Sequence, residues 1–146
     1  MKFKFKLESI LRVRMHEEDL EKQKLASLQN EESLLRRQFD ERRENLRKVN
    51  ASRNAMELVN HNRERMMQNY LLEEGQALNK LTQVILKKKE AIDKQRMNVI
   101  EANKKFKIIK KLKQKALVNY VHEMDRQDQI IQNEIATQVY YKQLKQ

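Results

Sequence analysis

The 146-residue sequence has no cysteine, no proline, no tryptophan and one glycine, Gly75. Without cysteine there are no disulfides and no thiolate metal sites, a usage that suits a reducing cytosol. One glycine and no proline exclude a loop-rich fold, because turns need residues that tolerate unusual φ or fix it. Aromatic residues make up only 5%. Together with the scarcity of β-branched residues, this argues against sheets. No run of about 18 apolar residues exists, so the sequence offers no membrane span. Near the start, Lys2, Lys4, Lys6 and Glu8 interrupt any apolar core that a signal peptide would need.

What is present is charge and helix formers. Charged residues are 36%, against roughly 25% in an ordinary domain. Apolar residues are 39%, too many for a disordered polyelectrolyte and too few for a thick core. Abundant Lys, Arg, Glu, Gln, Leu and Met favour helix. The composition therefore predicts a thin, all-α protein. Its net charge of +11 means that it binds some polyanion in vitro, whatever its task.

Apolar spacing defines two seams. In the first, Leu25, Leu28, Glu32, Leu35, Phe39, Arg42, Leu46, Val49, Arg53, Met56, Asn60, Arg63, Met67 and Tyr70 alternate by three and four. Upstream, Phe3, Leu7, Ile10 and Leu11 form a short apolar start. The charged stretch from Arg12 to Lys24 follows, and is expected to be helical but weakly packed. The second seam runs through Leu78, Leu81, Ile85, Lys88, Ile92, Gln95, Val99, Ala102, Phe106 and Ile109. Its frame then shifts by about one residue, to Leu112, Leu117, Val121, Met124, Ile131 and Ile135. Such a shift reads as a local change of supercoil.

Two seams in one chain predict a long antiparallel two-helix coiled-coil hairpin. Two places suit the turn. Gly75 is a natural helix C-terminus, and Asn60-His61-Asn62 lies in a stretch rich in residues that cap helices. A turn near Asn60 gives arms of about 55 and 80 residues, roughly 80 and 120 Å at 1.5 Å per residue. With so thin a core, a partner is expected to hold the ends.

Catalytic chemistry has little to stand on. His16, His61 and His122 are dispersed, with no pair at helical zinc spacing and no phosphate-binding or nucleophile motif. His16 beside Glu17 and Glu18 reads as an ordinary charged helix surface. No enzyme activity, cofactor or metal is expected. The sharpest charge feature is Lys104, Lys105, Lys107, Lys110, Lys111, Lys113 and Lys115, a run without an acid. Its only aromatic, Phe106, sits on the seam, so it reads as a solvated or protein-facing surface rather than a nucleic-acid site.

In order along the chain stand Phe5-Lys6-Leu7-Glu8-Ser9-Ile10-Leu11-Arg12-Val13-Arg14, the acidic Glu17-Glu18-Asp19, the pair Asn69-Tyr70, and Glu123-Met124-Asp125-Arg126-Gln127-Asp128 followed by Ile130 to Ala136. With the length and the basic hairpin pattern, this order resembles the flagellar export protein FliJ family of the type III export apparatus. The resemblance covers essentially the whole chain. It implies an antiparallel hairpin similar to the γ-type stalk of rotary ATPases. The implied partners are the hexameric export ATPase, the cytoplasmic domain of the export gate protein FlhA, and export chaperones. It also implies a cytoplasmic location, peripheral to the inner membrane at the flagellar base, and a monomer in isolation.

The resemblance places the turn near residues 59–63, with helix 1 about 4–58 and helix 2 about 64–142, and leaves Gly75 inside the second helix. Residue 7 then faces about residue 115, and the last 25 or so residues project beyond the first arm. The ATPase-binding residues are expected at the paired ends: Phe5, Leu7 and Leu11 on one arm, and Met124, Asp125, Asp128, Ile131 and Ile135 on the other. The gate contact is expected nearer the hairpin, at Phe39, Leu46, Val49 and Tyr70. Two other readings of the same sequence are a basic nucleic-acid-binding coiled coil and a self-associating structural rod.

Overall fold

A computed structural model describes residues 2–54 and 61–146. Of the described residues, 94% lie in two helices that pack against each other, with no strand among them. Helix α1 spans Glu8–Asn54 and helix α2 spans His61–Leu144. The fold is all-α, a two-helix hairpin.

Local charge explains where the helices start and stop. Lys2, Lys4 and Lys6 would place positive charge at the positive end of a helix dipole, whereas Glu8 complements it. The helix accordingly starts at Glu8, four residues later than the sequence suggests. The Leu7 carbonyl accepts its first bond, from the Leu11 N–H at 2.9 Å. Helix α2 carries Glu64 in its first turn and Lys142 in its last, both matched to the dipole.

The expected turn needs correction at its later end. His61, Asn62 and Arg63 are the opening residues of α2; residues 59 and 60, with the rest of 55–60, lie outside the described residues. Gly75 is an interior helical residue without positive φ. A Cβ built there meets nothing within 4 Å, so no steric feature demands glycine.

The chain divides into two compact units, Met1–Glu18 with Glu101–Gln146, and Asp19–Ile100. In the second unit, α1 and α2 run antiparallel. Gln95 meets Glu21, Lys88 pairs with Glu31, Glu74 lies 3.7 Å from Arg42, and Glu64 pairs with Arg53. Numbers rise on one helix as they fall on the other. Leu25, Leu28, Leu35, Phe39, Leu46 and Val49 supply half-buried apolar side chains from α1, as their spacing predicts. Ile92, at 3% exposed, is the buried apolar residue on α2. Arg42 sits on the seam line but stays exposed and turns its charge toward Glu74.

Three expectations about the seams change. On α2 the half-buried frame opens with Glu64, Met67, Leu71 and Glu74. Arg63 and Tyr70, assigned to the seam from spacing, fall off it because α2 starts a new frame. Between Arg12 and Lys24 the seam positions are the polar Arg14, Glu18 and Glu21, while Val13, Met15 and Leu20 face solvent. Glu18 is only 5% exposed and accepts a hydrogen bond from the Asn103 amide at 3.1 Å. Gln95, 8% exposed, donates to the Glu21 backbone carbonyl at 3.0 Å and to its carboxylate. This bond from Gln95 and the nearby Lys24 ammonium hold the Glu21 carboxyl below its ordinary range, against a smaller opposing effect of burial.

The third change concerns the frame shift, which does not occur. The side of α2 turned to α1 continues without a break through Ala102, Phe106, Ile109, Lys113, Ala116 and Tyr120. Leu112, Leu117 and Val121, one residue away, are exposed instead. The small Ala116 and the long stem of Lys113 fill the seam, and the larger aliphatic residues beside them are left outside.

These placements give contrasting stability effects. Ile92→Ala is expected to cost about 2–5 kcal/mol, and Leu117→Ala, at a site 45% exposed, about 1 kcal/mol or less. Gly75→Ala should gain about 0.5–1 kcal/mol by removing a glycine from a helix interior. Urea unfolding followed by circular dichroism measures all three.

Candidate interaction surface on the unpartnered end of the second helix

The unit containing both chain ends is built around the first turns of α1, which pair with α2. The Glu8 carboxylate accepts an ion-paired hydrogen bond from Lys113 at 2.8 Å. Before the helix begins, Phe3 reaches Tyr120, with ring centroids 5.4 Å apart and planes tilted by 53°. A tilted ring pair adds directional attraction to its area burial. The pairing of residues 8 and 113 agrees with the register of 7 opposite about 115 that follows from the turn implied by the resemblance.

Beyond Tyr120 nothing on α1 remains to pair. Met124 is half-buried, and every residue from Asp125 to Gln146 is exposed. Helix α2 nonetheless runs on to Leu144, about 36 Å past Tyr120 at 1.5 Å per residue. This overhang is not polar. Ile131 is 53% exposed and Ile135 56% exposed, and Ile130, Val139, Tyr140, Tyr141 and Leu144 are exposed to a similar degree.

The apolar residues of this stretch, exposed except for the half-buried Met124, have an order. Leu117, Val121, Met124, Asp128, Ile131 and Ile135 follow one another by four, three, four, three and four. This is the spacing of a seam for a further helix, set one residue round α2 from the seam that α1 covers. It starts beside the α1 pairing and continues through the overhang. Asp128 is the one charged residue in it. Ile130, Tyr141 and Leu144 continue the line of the α1 seam itself, so the overhang is apolar over an arc wider than one partner helix needs.

The charge changes sign where α1 runs out. From Ala102 to His122 there are seven lysines and no acid; from Glu123 to Glu134 there are Glu123, Asp125, Asp128 and Glu134 against Arg126. Thr137 returns its hydroxyl to the Asn133 carbonyl at 2.8 Å, so its polar group is satisfied within the helix.

The residues expected at the paired ends do not form one cluster. Phe5, Leu7 and Leu11 are half-buried in the segment that faces residues 113–120. Ile131 lies about 16 Å farther along α2 than Tyr120. Asp125, Asp128, Ile131 and Ile135 share the overhang with Met124 at its base. Spacing marked Ile131 and Ile135; it did not separate Leu117 and Val121 from the α1 seam, because a one-residue offset leaves the three-four pattern unchanged.

The residues expected at the gate lie in the other unit. Phe39 and Leu46 line a shallow groove of about 550 Å³ together with Arg43, Leu71, Gly75 and Leu78. Val49 and Tyr70 are outside it. Among the described residues, no group of three or more His, Cys, Asp or Glu is placed to hold a metal ion. No helix among the described residues is long and apolar enough to cross a membrane.

Because the overhang packs on nothing among the described residues, Ile131→Asp and Ile135→Asp should leave helical content and unfolding midpoint nearly unchanged, by circular dichroism. Unfolding of the hairpin by either change would contradict an unpartnered surface. No protein-family model matches the chain, and comparisons with curated proteins and with solved structures gave no match.

Proposed function

We propose that the protein is a FliJ-type component of a flagellar type III export apparatus, a stalk-like helical hairpin that binds and stimulates the hexameric export ATPase. In this reading the hydrolysis belongs to the partner. The chain supplies a shaft with different chemistry on different faces, and couples the ring to the FlhA gate while handling export chaperones. Its place is the cytoplasm, peripheral to the inner membrane at the flagellar base. The order of residues from Phe5 to Ala136 is the source of the reading.

The observation that carries it furthest is the overhang. A helix end that is apolar over a wide arc, with no cover in its own chain, suits insertion into a surrounding collar of subunits. Met124, Ile131 and Ile135 would provide the apolar contact, and Asp125 and Asp128 the charges that select an orientation. Phe5, Leu7 and Leu11 would act indirectly, by ending the α1 cover at a fixed point. The groove at Phe39 and Leu46 is the corresponding candidate for the gate contact.

The test is ATP hydrolysis by the purified export ATPase of a flagellated bacterium, with and without this protein. The parent is expected to stimulate hydrolysis and to co-purify with the ring. Ile131→Asp and Ile135→Asp, still helical, should lose the stimulation. Equal stimulation by those variants would move the contact elsewhere, and no stimulation or binding by the parent would remove the proposal.

A further inference from the structure

The lysine-rich part of α2 has a second side that the hairpin does not use. Ala102, Phe106, Ile109, Lys113, Ala116 and Tyr120 face α1. Lys104, Ile108, Lys111, Lys115 and Val118 follow one another by four, three, four and three, and stand on the opposite side of the helix. All five are exposed. Leu112, also exposed, flanks them. The result is a ridge of lysines interleaved with large aliphatic side chains, about 20 Å long.

The charges on this ridge are not used within the protein. Lys113 pairs with Glu8, Lys105 lies 3.9 Å from Glu101, and Lys110 stands over the Phe106 ring at 5.9 Å. Lys104, Lys107, Lys111 and Lys115 have no ion-pair partner among the described residues. Between Ala102 and His122 no acid occurs on any face of the helix. A field of one sign thus points outward over aliphatic residues that have no cover.

The choice of cation identifies the partner. All seven basic residues of the stretch are lysine, although α1 is rich in arginine. Arginine is the better fork for discrete phosphates and for base edges. Lysine is a point charge on a flexible apolar stem, which lies along an apolar surface while its ammonium stays in water. The two aromatics in the stretch, Phe106 and Tyr120, are on the hairpin side, so no base-stacking platform faces outward. Against a nucleic-acid backbone, Ile108, Leu112 and Val118 would lose water and gain nothing. Against a bilayer, they enter the headgroup boundary while the lysines meet anionic lipid, as on an interfacial amphipathic helix.

We infer that this ridge, Lys104, Ile108, Lys111, Leu112, Lys115 and Val118, is a docking surface for an anionic lipid bilayer. The helix lies along the membrane surface without crossing it, with α1 on the side away from the lipid. The inference stands on the residues of the ridge and is independent of what binds the overhang.

Vesicle flotation of the full chain at ~0.15 M salt, where long-range surface charge is largely screened, tests it. The probes are phosphatidylcholine vesicles with and without about one-third phosphatidylglycerol. The parent is expected to float with the anionic vesicles and to stay down with the neutral ones. Replacing Lys104, Lys111 and Lys115 together by Glu should lower partition by at least about a hundredfold; replacing them by Gln should also lower it, guarding against a fold defect that circular dichroism would reveal. Ile108→Ser with Leu112→Ser and Val118→Ser should weaken vesicle binding but leave retention on duplex DNA at low salt unchanged. Failure of the parent to float overturns the inference. So does duplex binding that survives ~0.2 M salt, or an aliphatic variant that floats as well as the parent, either of which makes the ridge a plain polyanion site.

Discussion

The single seam between α1 and α2 governs this molecule, because no other packed layer is present among the described residues. Each helix offers one side at three-four spacing, and the chain buries little else. Few apolar residues in that seam are deeply buried, Ile92 being the exception. Its register therefore depends heavily on polar and charged pairs, which tolerate one alignment and penalise neighbours. Gln95 with Glu21, Asn103 with Glu18, and Lys113 with Glu8 are of this kind. The half-exposed Lys113–Glu8 pair contributes modestly to stability, whereas Glu18 and Gln95 are buried. The value of such pairs lies in excluding shifted alignments, in which Glu18 would be buried without a donor.

Register has a direct consequence at the chain ends. With Glu8 on Lys113 and Phe3 on Tyr120, the first helix has nothing left to cover α2 beyond Met124. The N-terminal lysines contribute by delaying the start of α1 to Glu8. The same boundary separates two surfaces of opposite character. Before it, α2 is shielded on one side and strongly basic on the other. After it, α2 is bare, apolar over a wide arc and acid-rich. In each unit the distinguishing feature is which side of a helix is exposed at which position along it. That exposed, patterned surface is what the proposed interaction function rests on.

Much of this was legible from residue types. The lack of proline and the scarcity of glycine and aromatics, together with alternating three-four spacing, define helices and their number. The two seams by themselves left the turn open between Asn60-Asn62 and Gly75; the register with its overhang was what the resemblance implied. Spacing was less informative where two apolar lines run side by side on one helix. Leu117 and Val121 compete with Ala116 and Tyr120 for the inner side, and hydrophobicity alone favours the first pair. The packed structure favours the second: Tyr120 meets Phe3 and Ala116 is half-buried, while Leu117 and Val121 are exposed. The polar stretch around Glu18 was opaque for a similar reason: a carboxylate reads as exposed until the amide that satisfies it, 85 positions away, is known.

The sequence by itself determined that the chain forms two helices, that they pair along one side, and that the basic run is free of acids. These are consequences of local propensity and of periodicity, which each segment carries without reference to the other. Tertiary structure alone decided which of two adjacent apolar lines faces inward and that the carboxylate of Glu18 is buried against Asn103. Those outcomes depend on what stands opposite each residue across the seam, and no segment contains that information alone.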